Sequence, residues 1–308
     1  TIGENAFYYC RRLTEITIPS NVAIISENAF MACHGLKSLK ISESMTEIKK
    51  SAFSFCMNLE EVFYSGTEKQ WRQITIDKGN EYLENARIHY LADIIYKVTY
   101  NANGGTVQPL SDDVSPIKPV TLPTPTKMYT VSYNANGGVG APEAQNMYVS
   151  YKGWSKNSEA TDAEYACGES FTAAGDTTLY AVWDNDVTTT VSSVSPTRLG
   201  YTFCGWSTNP KATSADVTAS SNIFVSKNIT LYAVWEPVMC KITFDANGGV
   251  CGKTTDSVKY GDHITLPIPT KTDCEFLGWY TKSMGGDRIT DLTPIKLDMT
   301  LFAHWYSK

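Results

Sequence analysis

The feature that most constrains this chain is a stretch that repeats itself every 23 residues. "IGENAFYYCRRLTEITIP" at 2–19 aligns with "ISENAFMACHGLKSLKIS" at 25–42 and with "IKKSAFSFCMNLEEVFYS" at 48–65. A unit this short cannot bury its own apolar face. Successive copies must therefore stack into a solenoid in which each coil completes the core of the next. Leu13, Leu36 and Leu59 recur, then Ile16, Leu39 and Val62, then Ile18, Ile41 and Tyr64. Their period of two predicts a short strand with one buried face in every copy. Ala-Phe at 6–7, 29–30 and 52–53, followed by Cys10, Cys33 and Cys56, has helical spacing and predicts a turn of helix on the opposite side. The outward strand positions are Thr14, Glu15 and Thr17, then Lys37, Ser38 and Lys40, then Glu60, Glu61 and Phe63. Of these, Glu15, Thr17, Lys37, Ser38, Lys40, Glu60, Glu61 and Phe63 are the candidate partner-binding residues, because mixed charge around one aromatic suits protein contact. The repeats occupy 1–64. Residues 65–93 read as a cap, with Trp71 and Ile74 covering the last open layer while Glu68, Lys69 and Arg72 face water.

A second pattern fills the rest of the chain. "YNANGG" at 100–105 and 133–138, and "FDANGG" at 244–249, each follow a run suited to a strand. Asn-Gly favours positive φ at both central residues and predicts a hairpin turn. A phosphate loop is a poor reading, since no helix pattern follows. Val250 stands where a calcium loop of the EF-hand type needs glycine. "KGWS", "CGWS" and "LGWY" share Gly-Trp at 153–154, 205–206 and 278–279, and "LYAVW", "LYAVW" and "LFAHW" end at Trp183, Trp235 and Trp305. "LPTPTK", "SPTRLGY" and "LPIPTK" supply another marker. Three modules result, at 94–184, 185–237 and 238–308. The closing strand reads as half-buried, with Leu179, Ala181 and Trp183 on one face and Tyr180 and Val182 on the other. Both tryptophans of each module read as packing residues. The module at 185–237 has no N-A-N-G-G, so its first hairpin is missing or rebuilt. The module at 94–184 has two copies, and 129–150 reads as an extra hairpin enlarging a single domain.

Charge and motifs narrow the function. A net charge of −6 gives no support for a nucleic-acid partner. No run of 18 apolar residues is present. Three of the eight cysteines fall on the repeat period and read as small buried thiols; a Cys240–Cys251 or Cys251–Cys274 bridge stays open. The chain opens inside a repeat at Thr1, so it reads as a piece of a longer repeat protein, and its lack of a signal peptide does not speak for the cytoplasm. The four histidines have no metal-ligand spacing, and no nucleophile elbow occurs. Carboxylate pairs such as Glu60–Glu61 and Asp112–Asp113 are explained by a solvated surface. "LPTPT" and "LPIPT" have proline where the sortase signal needs threonine. The expectation is a protein that is not an enzyme, with no cofactor, no metal and no catalytic residues.

Two resemblances cover nearly the whole chain. The 23-residue step with "NAF..C..L..I.IP" resembles the BspA-type leucine-rich repeat family. That resemblance implies secreted or cell-surface proteins used for adhesion and protein contact. "ANGG", "PTK/PTR", "GW" and "LYAVW" resemble the Listeria–Bacteroides repeat, the B-repeat type of internalin-like surface proteins. It implies small β-grasp-like modules arranged as a stalk. The fold expected is mainly β with minor α: a short leucine-rich-repeat solenoid followed by tandem small β-grasp-like modules, elongated and monomeric. The partner expected is an extracellular protein or glycan. A carbohydrate-binding role, or an accessory region of a larger extracellular enzyme, is the alternative.

Overall fold

A computed structural model describes residues Thr1–Lys308. The chain is mainly β, and helix is confined to Glu68–Trp71 and Glu81–Glu84. It divides into two compact units, one of Thr1–Lys127 with Ser150–Asp184, the other of Met128–Val149 with Asn185–Lys308.

The solenoid lies in the first unit. Strands Glu15–Thr17, Ser38–Ile41, Glu61–Tyr64 and Arg87–Tyr90 form a parallel sheet in that order. A narrower parallel sheet joins Ile24–Ile25, Glu47–Ile48 and Thr75–Ile76. Ile25, Phe30, Leu36, Leu39, Ile48, Phe53 and Val62 are fully buried between coils. The Ala-Phe segment is not the expected helix. Phe7, Phe30 and their neighbours alternate between two kinds of hydrogen bond. Asn5, Phe7 and Tyr9 donate sideways to Glu27, Ala29 and Met31 of the next coil, while Ala6, Tyr8 and Cys10 donate to carbonyls three residues back. Positive φ at Asn5 and Tyr9, repeated at Asn28 and Ala32 and at Ser51 and Phe55, permits this path. A helix would satisfy each donor within its own turn and leave no bond for the neighbouring coil. Stacking aligns the rings instead, with Phe7–Phe30 centroids 4.8 Å apart and Phe30–Phe53 5.1 Å apart. The thiols of Cys33 and Cys56 donate to the carbonyls of Phe7 and Phe30 at 3.1 and 3.2 Å.

The last coil ends on Asn80. No further Ala carbonyl is available to Phe53, and its N–H donates to Asn80 Oδ1 at 2.9 Å. Asn80 Nδ2 donates to Lys49 and Asp77 carbonyls, so this buried carboxamide replaces the peptide group of a missing coil. Trp71 and Ile74 are buried in the solenoid core, and Glu68, Lys69 and Arg72 are exposed.

Each β module contains a sheet whose strands are ordered second, first, last, third. The first has Ser111–Val114, Tyr96–Asn101, Thr177–Trp183 and Tyr151–Ser155. The third has Thr255–Lys259, Met239–Asp245, Met299–Ser307 and Cys274–Tyr280, with Arg288–Ile289 added at the edge. The middle sheet corrects the expected module boundaries. Strands Met128–Asn134 and Gln145–Tyr148 do not join the sheet of 94–184; Met128–Asn134 pairs in parallel with Ile229–Pro237, beside Tyr201–Ser207. The hairpin that reads as an insertion is the hairpin that 185–237 lacks. Two modules are thus interleaved along the chain, which leaves the first unit after Lys127, returns at Ser150 and leaves again after Asp184.

The N-A-N-G-G stretch is a tight turn with more duties than joining two strands. Asn103 and Gly104 have φ of 48° and 87°, as predicted. The ladder, however, resumes only at Ser111, so the turn sits inside a wider loop. In the three copies the first residue (Asn101, Asn134, Asp245) accepts from the N–H of the third. The alanine carbonyl (Ala102, Ala135, Ala246) accepts from the closing tryptophan, Trp183, Trp235 or Trp305, at 2.9–3.0 Å. The third residue (Asn103, Asn136, Asn247) donates its amide to Ala181, Ala233 or Ala303 of the closing strand. A Cβ on the second glycine would lie 2.7 Å from Trp183 in the first copy, 2.6 Å from Trp235 in the second and 2.5 Å from Trp305 in the third. The residue after the turn bridges to the threonine of "PTK" or "PTR", as Thr106 to Thr126, Val139 to Thr197 and Val250 to Thr270. The middle copy thus binds Thr197 and Trp235, both from 185–237, which confirms the interleaving independently of the sheet.

Trp154, Trp206 and Trp279 are buried. The closing strand departs from the half-buried expectation at Val182 and Val234, which are as inaccessible as the opposite face, while Tyr180 and Tyr232 keep partial exposure. Gly153 is the register partner of Val182, and the returning loop at Ala163–Tyr165 lies against its bare backbone. All eight cysteines are free, so neither open bridge forms.

Candidate functional site: the outer face of the solenoid sheet

Parallel pairing at a constant register turns the strand repeats into rows. Glu15, Ser38, Glu61 and Arg87 are successive partners in one row. Thr17, Lys40, Phe63 and His89 form the next. Ile16, Leu39, Val62 and Ile88 lie between the rows in sequence and take the inner face, where Leu39 and Val62 are wholly buried. Period-two alternation then leaves the row residues on the outer face. Glu15, Thr17, Lys40 and Arg87 are exposed, and Ser38, Glu61, Phe63 and His89 are half-buried.

Six of the eight candidate residues are therefore brought together: Glu15, Thr17, Ser38, Lys40, Glu61 and Phe63. Lys37 and Glu60 are not in the rows. Each immediately precedes a strand and is exposed. They share the parity of Leu39 and Val62, so their contribution is to the backbone ladder. Lys37 N–H donates to the Thr14 carbonyl at 2.8 Å, and Glu60 N–H to the Lys37 carbonyl at 3.0 Å.

Arg87 and His89 belong to the same rows, and the repeat pattern missed them. They lie 26 residues after their partners Glu61 and Phe63, off the 23-residue step, because the cap inserts extra residues. The alternation of "RIHY" at 87–90 was the available signal. The His89 ring stacks on Phe63 with centroids 4.7 Å apart and planes 10° from parallel. Its Nε2 also meets Glu61 Oε2. Phe63 is thus held on one side by a ring that is itself fixed by a carboxylate. The face offers an ordered aromatic pair flanked by Lys40, Arg87, Glu15 and Glu61. This suits recognition of a polypeptide surface, where aromatic and arginine side chains carry most of the contact energy.

No group of three or more His, Cys, Asp or Glu side chains is placed to hold a metal ion. No helix is long and apolar enough to cross a membrane.

Comparison with known proteins follows the same division. The family model described as "BspA type Leucine rich repeat region" matches residues 1–89 in six copies. The model described as "Listeria-Bacteroides repeat domain" matches 96–128, 148–182, 184–234 and 241–304. The first two of these segments fall on either side of the hairpin that the sheet assigns elsewhere. Among curated proteins, Internalin H of Listeria monocytogenes is 34% identical over 95 residues, 30% of this chain and 17% of its own. A "Putative membrane protein" of Evansella cellulosilytica is 31% identical over 182 residues, covering 51% of this chain and 26% of its own. The chain therefore spans about a quarter or less of the length of these relatives.

Proposed function

The chain belongs to the Listeria-Bacteroides repeat domain family and carries a BspA-type leucine-rich repeat region, and from that premise we propose that it is a non-enzymatic protein of the cell surface or secreted space. The solenoid sheet makes contact with an extracellular protein, and the β modules space it from its attachment. The names of the relatives, a membrane protein and an internalin, support this location. The observation that carries the contact role is the Phe63–His89 stack on a face ordered by four parallel strands. Such a face is largely pre-formed, so binding costs little further ordering.

The test is a binding screen of the whole chain against immobilised host matrix proteins, mucins and bacterial polysaccharides. A partner that uses this face is expected to lose at least about tenfold in affinity with Phe63→Ala, the scale of a central aromatic contact. Lys40→Glu should weaken it as well. Binding that both variants leave unchanged would remove the sheet face from the reading.

The alternative, glycan capture by tryptophan platforms of the β modules, loses its main support. Trp154, Trp206 and Trp279 are buried, and Trp183, Trp235 and Trp305 hold backbone carbonyls with their indole N–H groups.

A further inference from the structure

We propose that the β region bears load, and that its first two modules mask part of each other's length when the chain is stretched. This rests on the reading of that region as a spacer. In every module the first and last strands are parallel neighbours, paired over four positions. Val98–Asn101 pairs with Thr177–Tyr180, Val131–Asn134 with Ile229–Tyr232, and Ile242–Asp245 with Met299–Phe302. In the third module, force enters ahead of Met239 and leaves beyond Ser307. It therefore slides two adjacent strands past each other along their length. All the bonds between them are loaded together, whereas peeling a hairpin loads them one at a time. The turn adds cross-links between the same two strands: Asn247 Nδ2 to the Ala303 carbonyl at 3.0 Å, and Trp305 Nε1 to the Ala246 carbonyl at 2.9 Å.

Interleaving adds a consequence that follows from connectivity alone. Residues 150–184 belong to the first unit, but the chain on both sides of them, at 149 and 185, belongs to the second. Residues 128–149 are likewise bounded by 127 and 150 of the first. Suppose the first module yields while the second holds. Residues 150–184 then form a loop hung from two points of a folded body and cannot extend. Only 96–127 pays out, about 11 nm at roughly 3.6 Å per residue. The remainder, 128–237, appears when the second module yields, about 40 nm. If the second module yields first, 185–237 gives about 19 nm and 96–184 then gives about 32 nm. Modules laid end to end would give about 24 and 27 nm in either order.

The experiment stretches the full chain in an optical trap by handles attached at Ile94 and Lys308, so that the solenoid lies outside the loaded path. The third module's release of about 25 nm serves as an internal reference in each trace. The expected result is a release near 11 nm followed by one near 40 nm, or one near 19 nm followed by one near 32 nm. A reordered variant carries 128–149 immediately before residue 185, with a three-residue turn joining 127 to 150. It should lose the short releases and show three near 25 nm. Three releases near 25 nm in the unaltered chain, with none near 11 or 19 nm, would overturn the proposal. The unaltered chain decides this even if the reordered variant does not fold. Asn247→Ala should lower the force of the third module's release and leave its length unchanged; an unchanged force would remove the turn from the load path. Loss of partner binding with Phe63→Ala would alter none of these lengths, so the contact reading and the load reading fail separately.

Discussion

At the scale of single residues, the internal repeats act as controls for one another. Tyr151 occupies the place of Phe203 and Phe276, and its ring meets Trp154 and Trp183 as those rings meet their own tryptophans. Its hydroxyl is buried without a hydrogen-bond partner, and burial pushes its pKa upward. An orphaned buried hydroxyl costs about 1–3 kcal/mol. Tyr151→Phe should therefore stabilise the first module by about 1 kcal/mol, read from urea denaturation followed by tryptophan fluorescence. A similar comparison isolates Trp206, whose Nε1 has no partner, whereas Trp154 and Trp279 donate to the carbonyls of Pro123 and Pro267. Val194 stands at the corresponding position, and its N–H turns to Ser192 Oγ. The cysteine ladder supplies a pH dependence. Burial raises the Cys56 thiol from 9.0 to about 12. Between those values the folded solenoid keeps a proton that the unfolded chain has released, so its stability falls as pH rises through the window. The loss attributable to this group approaches about 1.4 kcal/mol per pH unit. Hydrogen exchange of the solenoid from pH 8.5 to 10.5 should show a shallower decline in Cys56→Ala than in the parent chain. Parallel slopes would refute the assignment.

At the scale of elements, the N-A-N-G-G turn was legible as a turn but not as a clamp. Asn-Gly announces positive φ from sequence, and Asn247 and Gly248 adopt it. Nothing local requires the second glycine, since Gly249 has no positive φ. Its reason lies across the module, where a Cβ would stand 2.5 Å from the Trp305 ring and 2.7 Å from the Thr270 carbonyl. That ring is fixed by its own hydrogen bond to Ala246. Gly249→Ala should thus cost about 3 kcal/mol, the upper end for overpacking. A matched Gly252→Ala, where nothing lies within 4 Å, is the control. Urea midpoints measure both, and similar shifts would sink the account. The solenoid face tells the same story. Alternation identified Ser38, Lys40, Glu61 and Phe63, because period two is a local property. His89 and Arg87 escaped because their register is set by pairing with Glu61–Tyr64 after the cap has broken the period.

At the scale of the whole molecule, the decisive fact is which hairpin completes which sheet. Replacing 128–149 by a three-residue turn should leave four residues between Lys127 and Tyr151, as separate Arg198 from Phe203 and Lys271 from Phe276. Hydrogen exchange should then show Tyr96–Asn101 and Thr177–Trp183 still protected, with protection lost from Tyr201–Ser207 and Ile229–Pro237. The reverse pattern would return the hairpin to the first module. The sequence by itself determined the solenoid, its buried Leu and Ile positions, the three Gly-Trp and closing strands, and the turn residues. These follow from periodicity and backbone preference, which act over a few residues. Only the tertiary structure decided that Met128–Asn134 lies beside Ile229–Pro237, that Asn80 ends the coil stack, and that His89 backs Phe63. All three depend on hydrogen-bond and ring partners distant in sequence. The N-A-N-G-G copies are interchangeable in local chemistry, so no residue within 128–149 records which closing strand its turn will clamp.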